Sequence, residues 1–366
     1  MPFIMEKYDY KVTLVLPSLN VKSYIKECLE SVINQSLKEI EILCIDGGSN
    51  DGTRQIIESY AKTDDRIRLI DADKRSYGYQ VNFGIKMAKG EYIGIVETDD
   101  FVLPTMYKEL YEYAKRTDAD VAKAPYIEYR NDSNQQLCYY GETLNERLPY
   151  GKTFDAKEYG EILAYHSSIW AGLYRKSYVI DNDIFFVEAD GAGYVDAGFR
   201  IDTCINTDRI AWYPKAAYCY RTSSEDSSTN RFMISVMLKR WKEIHEKFSL
   251  IENDYDRYYS PYTIFDEYMN TLFMMDKTEI SDEDLRILID NFSKTKNESI
   301  LSSPVLSEHI KNKVISFKTD PYTYYKKRKD TLLLRSCIRK IGDRLFPKGS
   351  FFRVMFKKML LLKRDQ

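Results

Sequence analysis

Four short apolar runs, each followed by a polar loop and a helix-like segment, constrain the fold of this 366-residue chain more than any other feature. They are "KVTLVL" at 11–16, "IEILCI" at 40–45, "IRLI" at 67–70 and "YIGIV" at 92–96. Runs of this length are typical of buried strands, and strands that alternate with helices form mostly parallel sheets. The sequence therefore predicts an α/β fold with a mostly parallel central sheet flanked by helices.

Polar residues follow three of these runs, at 17–20, 46–53 and 97–100. The carboxyl ends of parallel strands meet at one edge of a sheet, and open α/β sheets bind their ligands there. The last loop, "ETDD", places three carboxylates in four positions directly after a buried run. Carboxylates at this spacing repel one another and lose hydration unless a cation or hydrogen-bond donors lie among them. The alternatives are a ligand site and a turn that caps the next helix.

The loop "IDGGSNDGT" at 45–53 lies between an apolar run and a helix-like segment, as nucleotide-binding loops do. It lacks the GxGxxG pattern and the Lys-Ser/Thr of a P-loop, so a dinucleotide site and a P-loop both fit poorly. Asp46 at the strand end could accept hydrogen bonds from a uracil N–H or a ribose hydroxyl. The small residues after it would let a base approach the backbone. A purely structural turn is the alternative.

The rest of the chain is less regular. Asn20 is expected to cap a helix that ends at Ile33. Residues 130–149 predict a long loop or a protruding hairpin, and from about residue 231 the pattern is helical without repeats. We therefore expect a first domain at 1–230 and a helical C-terminal region at 231–366.

The distribution of cysteines and the length of the apolar runs indicate the compartment in which the protein is found. The six cysteines are scattered, with no CxxC pair and no cluster with histidine, which argues against a zinc site and against a disulfide framework. The first residues lack a signal pattern, and the apolar runs are too short to span a bilayer. We therefore expect a cytoplasmic protein.

The tail at 335–366 mixes basic and large apolar residues, and residues 326–366 hold fourteen Lys or Arg against three Asp. This pattern suits a helix in the headgroup region of an anionic membrane, which would make the protein peripheral on the inner face of the plasma membrane. A helix packed on the protein itself is the alternative. Nucleic acid is not an expected partner, because the acidic remainder lacks a basic groove. The helical region could also form a homodimer interface.

Four motifs in this order and spacing resemble the family 2 glycosyltransferases, which have a GT-A fold. They are "LPSLN" at 16–20, "NQSLKEIEILCIDGGSNDGT" at 34–53, "NFGIKMAKGEYI" at 82–93 and "ETDDFVLP" at 97–104. The resemblance is strong over about 10–125, extends more weakly to about 230 and does not include the C-terminal helices. It implies a nucleotide-sugar-binding and catalytic domain that precedes the helical region.

The resemblance also implies a nucleotide site. In that family the first loop and the Asp loop bracket the donor nucleotide, which implies contacts from Pro17, Asn20 and Asp46. Arg75 lies where relatives often place a nucleotide-contacting residue, and a solvated loop is the alternative. Many relatives carry a second Asp after the first, whereas this chain has Gly47.

The segment "ETDD" corresponds to the family's DxD motif, with Glu97 in place of the usual first Asp. A divalent cation that bridges the donor phosphates stabilises the leaving diphosphate, and oxygen ligands suit Mg²⁺ or Mn²⁺. The resemblance implies that Asp99 is the first metal ligand and Asp100 the second. It places Glu97 and Asp99 against the nucleotide, with Glu97 on the ribose or on a metal-bound water.

An inverting transfer also needs a base beside the acceptor hydroxyl. In "GAGYVDAGFR", Asp196 has the position of the family's base, and Asp190 and Glu188 are rivals. Arg221 could bind the diphosphate through its guanidinium, or form an ordinary ion pair. Trp170 could stack on an acceptor sugar, or belong to the core.

These implications together predict an inverting, metal-dependent glycosyltransferase. It would move a hexose or N-acetylhexosamine from a nucleotide sugar, UDP-linked by expectation, to a capsule, lipopolysaccharide or other lipid-linked glycan acceptor. The alternative is a catalytically silent scaffold that binds a nucleotide sugar, because Glu97 and Gly47 depart from the family pattern.

Overall fold

The computed structural model describes residues 8–129, 137–164, 168–222, 234–249, 271, 280–304 and 306–330. The chain divides into two compact units, Met1–Asp266 and Glu267–Gln366. The domain boundary expected after residue 230 stays a prediction. The basic tail at 335–366 lies outside the described residues, so its membrane contact also stays a prediction.

Strands and helices alternate through the described part of the first unit. The strands are β1 Tyr10–Ser18, β2 Ile40–Asp46, β3 Ile67–Asp71, β4 Gly90–Ile95, β5 Phe101–Val102, β6 Val121–Lys123, β7 Tyr126–Tyr129, β8 Leu137–Tyr140, β9 Gly172–Arg175, β10 Ile210–Trp212 and β11 Tyr218–Arg221. The helices are α1 Ile25–Ile33, α2 Thr53–Ala61, α3 Tyr77–Met87, α4 Met106–Thr117, α5 Glu161–Ala164, α6 Lys176–Asp181, α7 Asp196–Ile205 and α8 Ile234–Ser249.

A seven-stranded sheet forms the centre of this unit, in the order β10-β6-β9-β4-β1-β2-β3. The strands β4, β1, β2 and β3 run parallel, whereas β9 is antiparallel to both of its neighbours. Nearly all residues of β1, β2 and β4 are buried, because helices cover both faces of the sheet. The predicted α/β fold with a mostly parallel sheet is therefore confirmed.

The register of the parallel strands brings the polar loops to one edge, as the sequence predicts. Ser18 at the end of β1 lies beside Asp46 at the end of β2, which lies beside Asp71 at the end of β3. β4 pairs with β1 on the other side and leads directly into the acidic segment at 97–100. The carboxyl ends of four parallel strands therefore define the candidate site.

The first helix begins later than expected. α1 starts at Ile25 with Tyr24 as its N-cap, so the prediction that Asn20 caps this helix is wrong. Asn20 instead adopts a left-handed conformation with φ of 55°, and its side-chain oxygen accepts a hydrogen bond from the backbone N–H of Asn50 at 2.9 Å. Asn and Asp tolerate this conformation better than other non-glycine residues.

A second sheet of four strands has the order β5-β11-β7-β8. β7 and β8 are antiparallel, which confirms the hairpin alternative for this part of the chain; residues 130–136 lie outside the described residues. β5 directly follows the acidic segment and pairs with β11, so the second sheet joins residues near 220 to the end of β4.

The second unit is helical where it is described, as the sequence predicts. Its helices are α9 Asp282–Ser293, α10 Asn297–Leu301 and α11 Glu308–Thr319. The side chains of Ser281 and Ser307 cap α9 and α11. Across the described parts of both units, the helices are too short or too polar to cross a membrane.

Candidate active site

The loops after β1 and β2 are joined by hydrogen bonds into one wall of the site. The Gly47 backbone N–H donates to the Ser18 carbonyl at 2.9 Å, and the Asn20 N–H donates to the Ser49 hydroxyl at 3.0 Å. The side-chain oxygen of Asn20 accepts from the Asn50 N–H. Two loops about thirty residues apart in sequence therefore hold each other in place, and we call them the loop wall.

The carboxylate of Asp46 lies buried behind this wall. It accepts a hydrogen bond from the Ser49 N–H at 3.1 Å and forms an ion pair with Arg54 at 3.3 Å. Arg54 also pairs with Asp71 at the end of β3. The structure thus corresponds to the structural-turn alternative for the Asp46 side chain, which orders the loop rather than presenting a carboxylate to a base.

Pro17 and Arg75 have different environments beside the wall. Pro17 is a buried residue of β1, and its carbonyl accepts a hydrogen bond from the Thr98 hydroxyl at 2.8 Å, which ties the wall to the acidic segment. Arg75 is exposed, and its guanidinium donates to the Gly48 carbonyl at 3.3 Å. The structure therefore places Arg75 at the rim of the loop wall.

The three acidic residues of "ETDD" have different environments. Glu97 and Asp99 are partly exposed, whereas Asp100 is only 1% exposed. The Asp100 carboxylate accepts hydrogen bonds from the Tyr218 hydroxyl at 2.8 Å and from the Arg221 backbone N–H at 2.7 Å. Burial raises the pKa of Asp100 well above its usual range. The protein thus engages both oxygens of Asp100, and its role as the second metal ligand stays a prediction.

Arg221 is 5% exposed and lies against the acidic segment. Its Nη2 pairs with the Glu27 carboxylate at 2.6 Å, and its Nε donates to the Asp99 carbonyl at 2.9 Å. The guanidinium also lies 5.2, 5.7 and 5.2 Å from the ring centroids of Tyr24, Phe101 and Tyr129. The guanidinium is thus buried and bonded, as the ion-pair alternative expects, and its contact with the diphosphate stays a prediction.

Glu97 is held by two tyrosines. The Tyr77 hydroxyl donates to its carboxylate, and its backbone N–H donates to the Tyr218 hydroxyl at 3.0 Å. Burial raises the pKa of Glu97 to about 8, with smaller contributions from the charges of Asp99 and Asp196, although the Tyr77 hydrogen bond opposes this shift. Burial also raises the pKa of Asp99. The site therefore concentrates carboxyl groups whose ionised forms lack stabilisation, and a cation would supply it.

Asp196 is the first residue of α7 and is partly exposed. Tyr77 links its segment to Glu97, because the Tyr77 hydroxyl donates to the Glu97 carboxylate, although Asp196 and Glu97 are about a hundred residues apart. In the part of the chain that the structure describes, no hydrogen bond or ion pair engages the Asp196 carboxylate. The Gly191 carbonyl accepts from the Tyr77 N–H at 3.3 Å, which anchors the segment before α7 to the start of α3.

The rivals of Asp196 have other environments. Glu188 pairs with Lys74 at 3.1 Å, and Asp190 is exposed. Asp202, deeper in α7, is buried and pairs with Lys247 at 2.6 Å. Geometry therefore favours Asp196 among the acidic residues of this segment.

Comparison with known proteins agrees with this architecture. Residues 13–180 match the family model "Glycosyl transferase family 2". Residues 13–180, a little under half of the chain, therefore form a family 2 glycosyltransferase domain. Asp196, Tyr218 and Arg221 all lie beyond the matched residues, so this family 2 protein completes its acidic site with segments that the family model does not include.

Two curated relatives support the membership. The chain is 29% identical over 216 residues to "Uncharacterized glycosyltransferase EpsJ" of Bacillus subtilis, which covers 57% of this chain and 60% of EpsJ. It is 35% identical over 130 residues to "Glycosyltransferase GlyG" of Streptococcus pneumoniae, which covers 35% of this chain and 43% of GlyG. The matched regions thus span about half the length of these relatives.

A solved structure supports the GT-A fold of this family 2 protein. S. aureus TarS 1-349, crystallised in complex with UDP-GlcNAc, superposes with a TM-score of 0.70 at 18% sequence identity. The match covers 88% of this chain and 92% of that one. At this identity the likeness concerns the fold.

The donor set of this family 2 site fits a divalent cation that is shared with a ligand. The described ranges contain no group of three Asp, Glu, His or Cys side chains that could hold a metal ion. Mg²⁺ and Mn²⁺ usually take only one or two protein carboxylates and complete their shells with phosphate oxygens and waters. Asp99 is partly exposed, and its raised pKa shows that its charge is poorly stabilised by the protein alone. One carboxylate with these properties fits such a site.

Trp170 lies in the core of the family 2 protein. It is 5% exposed, stacks on Tyr218 and Tyr220 at centroid distances of 4.2 and 5.2 Å, and meets the edge of Tyr126 at 4.8 Å. Residues two apart on a strand share one face of the sheet, so β11 offers both rings to Trp170. This burial corresponds to the core alternative and does not support stacking of Trp170 on an acceptor sugar.

Sequence reasoning missed three residues that shape the site, namely Tyr77, Gln80 and Tyr218. Tyr77 and Gln80 lie on the first turns of α3, where the sequence offered only a helix pattern. Tyr218 is 118 residues from Asp100, and no local motif connects them. Gly47 was the signal for Gln80 in the sequence, because a glycine in a ligand-binding loop leaves space that a side chain from another element can occupy.

Proposed function

We propose that this chain transfers a hexose or N-acetylhexosamine from a UDP-sugar, with inversion, to a surface-polysaccharide or lipid-linked glycan acceptor. The observation that carries the proposal is the link that Tyr77 makes at the carboxyl edge of the sheet: its hydroxyl donates to Glu97 of the acidic segment, and its backbone N–H donates to Gly191 in the segment that leads to Asp196. Carboxyl groups so close together and partly buried suit a reaction that needs a cation for a leaving diphosphate and a base for an incoming hydroxyl.

The loop wall and the acidic segment are proposed to hold the donor. Arg75 at the rim supplies positive charge, and the exposed Asn20 supplies a surface along which the nucleoside would lie. TarS, whose fold this chain shares, was crystallised with UDP-GlcNAc, and this supports a UDP-linked donor. The names of curated relatives support a glycan acceptor. One of these relatives is "Poly(ribitol-phosphate) beta-glucosyltransferase" of Bacillus spizizenii.

Asp99 would hold Mg²⁺ or Mn²⁺ together with the donor phosphates, and the ion would supply Lewis-acid stabilisation of the leaving diphosphate. The chain's own groups fix Asp99: Arg221 binds its carbonyl, and Asp100 anchors the backbone that follows. Glu97, oriented by Tyr77, is placed to hydrogen-bond a ribose hydroxyl. This arrangement positions a charged donor without a large cluster of protein ligands.

Asp196 is the proposed general base. It would take the proton of the acceptor hydroxyl while that oxygen forms a bond to the anomeric carbon and the bond from that carbon to the diphosphate oxygen breaks. A single displacement from the face opposite the leaving group inverts the configuration and needs only one carboxylate on the acceptor side. A partly exposed carboxylate with no protein hydrogen bond in the described structure suits this task.

Two variants test these roles separately. Asp99→Asn should remove the Mn²⁺-dependent rise in melting temperature that UDP gives, because a ligand stabilises only the state it binds. Asp196→Asn should keep that rise but lower the release of UDP from a UDP-sugar by about 10²- to 10⁴-fold, the usual contribution of a general base. The matched control is Asp190→Asn, an exposed carboxylate of the same segment, which should behave like wild type.

The outcomes distinguish the alternatives. Absence of binding by UDP, GDP and ADP in a cooperatively folded protein would refute the proposal. Release of UDP at the wild-type rate in Asp196→Asn would refute the assigned base. Mn²⁺-dependent UDP binding without turnover of UDP-sugars, with or without glycan acceptors, would support the scaffold.

A further inference from the structure

The space beside Gly47 is occupied by a side chain from another element. A Cβ atom added at Gly47 would lie 2.5 Å from Nε2 and 3.3 Å from Cδ of Gln80. The backbone of Gly47 is not in the left-handed region, so its conformation does not require glycine. What requires glycine at this position is the Gln80 amide, which fills the volume that a side chain would take.

The orientation of this amide follows from its partner. The Ser18 backbone N–H donates to Oε1 of Gln80 at 3.1 Å, and only the oxygen of the amide can accept. Nε2 is therefore the end that lies toward Gly47. Within the described ranges no acceptor bonds to Nε2 of Gln80. This atom is also not fully buried. A donor in a 3% exposed side chain thus retains access to solvent at the site.

The place of this donor is the floor between the two loops of the wall. Ser18 and Gly47 end the neighbouring strands β1 and β2, and the Gly47 N–H bonds to the Ser18 carbonyl. The Asp46 carboxylate is not available to a base here, because Ser49 and Arg54 engage it. The amide of Gln80 is therefore the side-chain group at this junction that retains an unused donor.

We propose that Gln80 reads the nucleobase of the donor by donating a hydrogen bond from Nε2 to a carbonyl oxygen of the base. The ligand class is a keto base such as uracil, whose carbonyl oxygens accept hydrogen bonds, rather than adenine, which presents an amino group and ring nitrogens. Gln80 would thereby supply the side-chain contact to the base that Gly47, which has no side chain, cannot supply. The inference rests on the proposed function, since it concerns the nucleotide part of that site.

Binding of UDP, ADP and inorganic pyrophosphate, each with Mn²⁺, tests the proposal by calorimetry. Gln80→Glu keeps an oxygen for the Ser18 N–H but replaces the donor with an acceptor. It should weaken UDP binding at least about tenfold relative to pyrophosphate, as expected for loss of one hydrogen bond and gain of a repulsive contact. Gln80→Ala should weaken UDP about three- to tenfold and leave ADP and pyrophosphate nearly unchanged.

Gly47→Ala provides a second route that leaves Gln80 itself intact. The added methyl group would displace the Gln80 amide, so this variant should also lower the preference for UDP over ADP. In a Gln80→Ala background the same change should have little further effect, because the clash is gone and the two losses share one cause. This comparison also covers the case in which one of the Gln80 variants folds poorly.

If the Gln80 variants bind UDP, ADP and pyrophosphate with equally weakened affinity, base recognition is overturned. Gln80 would then serve only to position Ser18 through their hydrogen bond. Unchanged UDP binding would also overturn it. Wild-type protein that binds pyrophosphate but discriminates no base would overturn this inference while leaving the diphosphate site intact. Wild-type protein that binds none of the three ligands would overturn both this inference and the proposed function.

Discussion

The Arg221→Met substitution would decide between the two roles that the sequence allows for this residue. Methionine keeps much of the apolar stem but removes the guanidinium. If Arg221 holds the acidic segment together, the variant loses stability. If Arg221 binds the diphosphate, the variant loses donor affinity while the fold keeps its stability.

The structure allows the loss of stability to be estimated. The hydrogen bond to the Asp99 carbonyl, which is partly buried, contributes about 1.5 kcal/mol as a charge-assisted bond. The Glu27 side chain is 55% exposed, so solvent screening limits that ion pair to about 0.5 kcal/mol. Contacts with three aromatic rings add about 1 kcal/mol. The variant should therefore lower the free energy of unfolding of the first unit by about 3 kcal/mol.

Urea unfolding followed by tryptophan fluorescence measures this quantity selectively. The three tryptophans of the chain, Trp170, Trp212 and Trp241, all lie in the first unit. The matched control is Arg75→Met, an exposed arginine whose loss should change stability by less than about 0.5 kcal/mol. A decrease below about 1 kcal/mol for Arg221→Met, accompanied by a selective loss of UDP binding, would refute the structural role.

Three further predictions concern the same site. Trp170→Ala should lower the free energy of unfolding of the first unit by about 3–5 kcal/mol in the same assay, as other large core truncations do. An unchanged urea midpoint together with slower sugar transfer would instead indicate that Trp170 contacts the acceptor. Asp100→Asn should retain Mn²⁺-dependent UDP binding within about threefold, because Asn can still accept from the Arg221 N–H and can donate to the Tyr218 oxygen; a loss as complete as that of Asp99→Asn would make Asp100 a ligand after all. Chelation with EDTA should abolish the rise in melting temperature that UDP gives while the protein still melts cooperatively, and a rise that persists would exclude a metal-dependent donor site.

The strands and the edge of the sheet could be predicted from sequence because their cause is local. Runs such as 92–96 are apolar throughout, since both faces of the central strands are covered, and the polar residues that follow must lie where the strands end. The direction of β9 could not be predicted in this way. Its four residues, Gly172–Arg175, carry no local mark of strand direction, and only the pairing with β4 and β6 shows that it is antiparallel.

The roles of individual acidic residues were harder to predict because burial depends on distant partners. Asp99 and Asp100 are neighbours with the same side chain. Tyr218 and Arg221 nevertheless donate hydrogen bonds to the carboxylate of Asp100 and not to that of Asp99. Asp46 is buried, and Arg54, the second residue of α2, pairs with it. Gln80 had no motif at all, and its position became meaningful only through the space beside Gly47.

The hydrogen bond between Asp100 and the Arg221 backbone has a consequence for synthesis of the chain. The two residues are 121 positions apart, so the acidic segment leaves the ribosome long before the strand that fixes it. At about 5–20 residues per second, the delay is roughly 6–25 s. During that interval the nascent chain already has the central parallel strands but lacks the partners of Asp100. Competence to bind a donor should therefore arise late in translation, and a nascent chain stalled before β11 would have the loop wall without an ordered acidic segment.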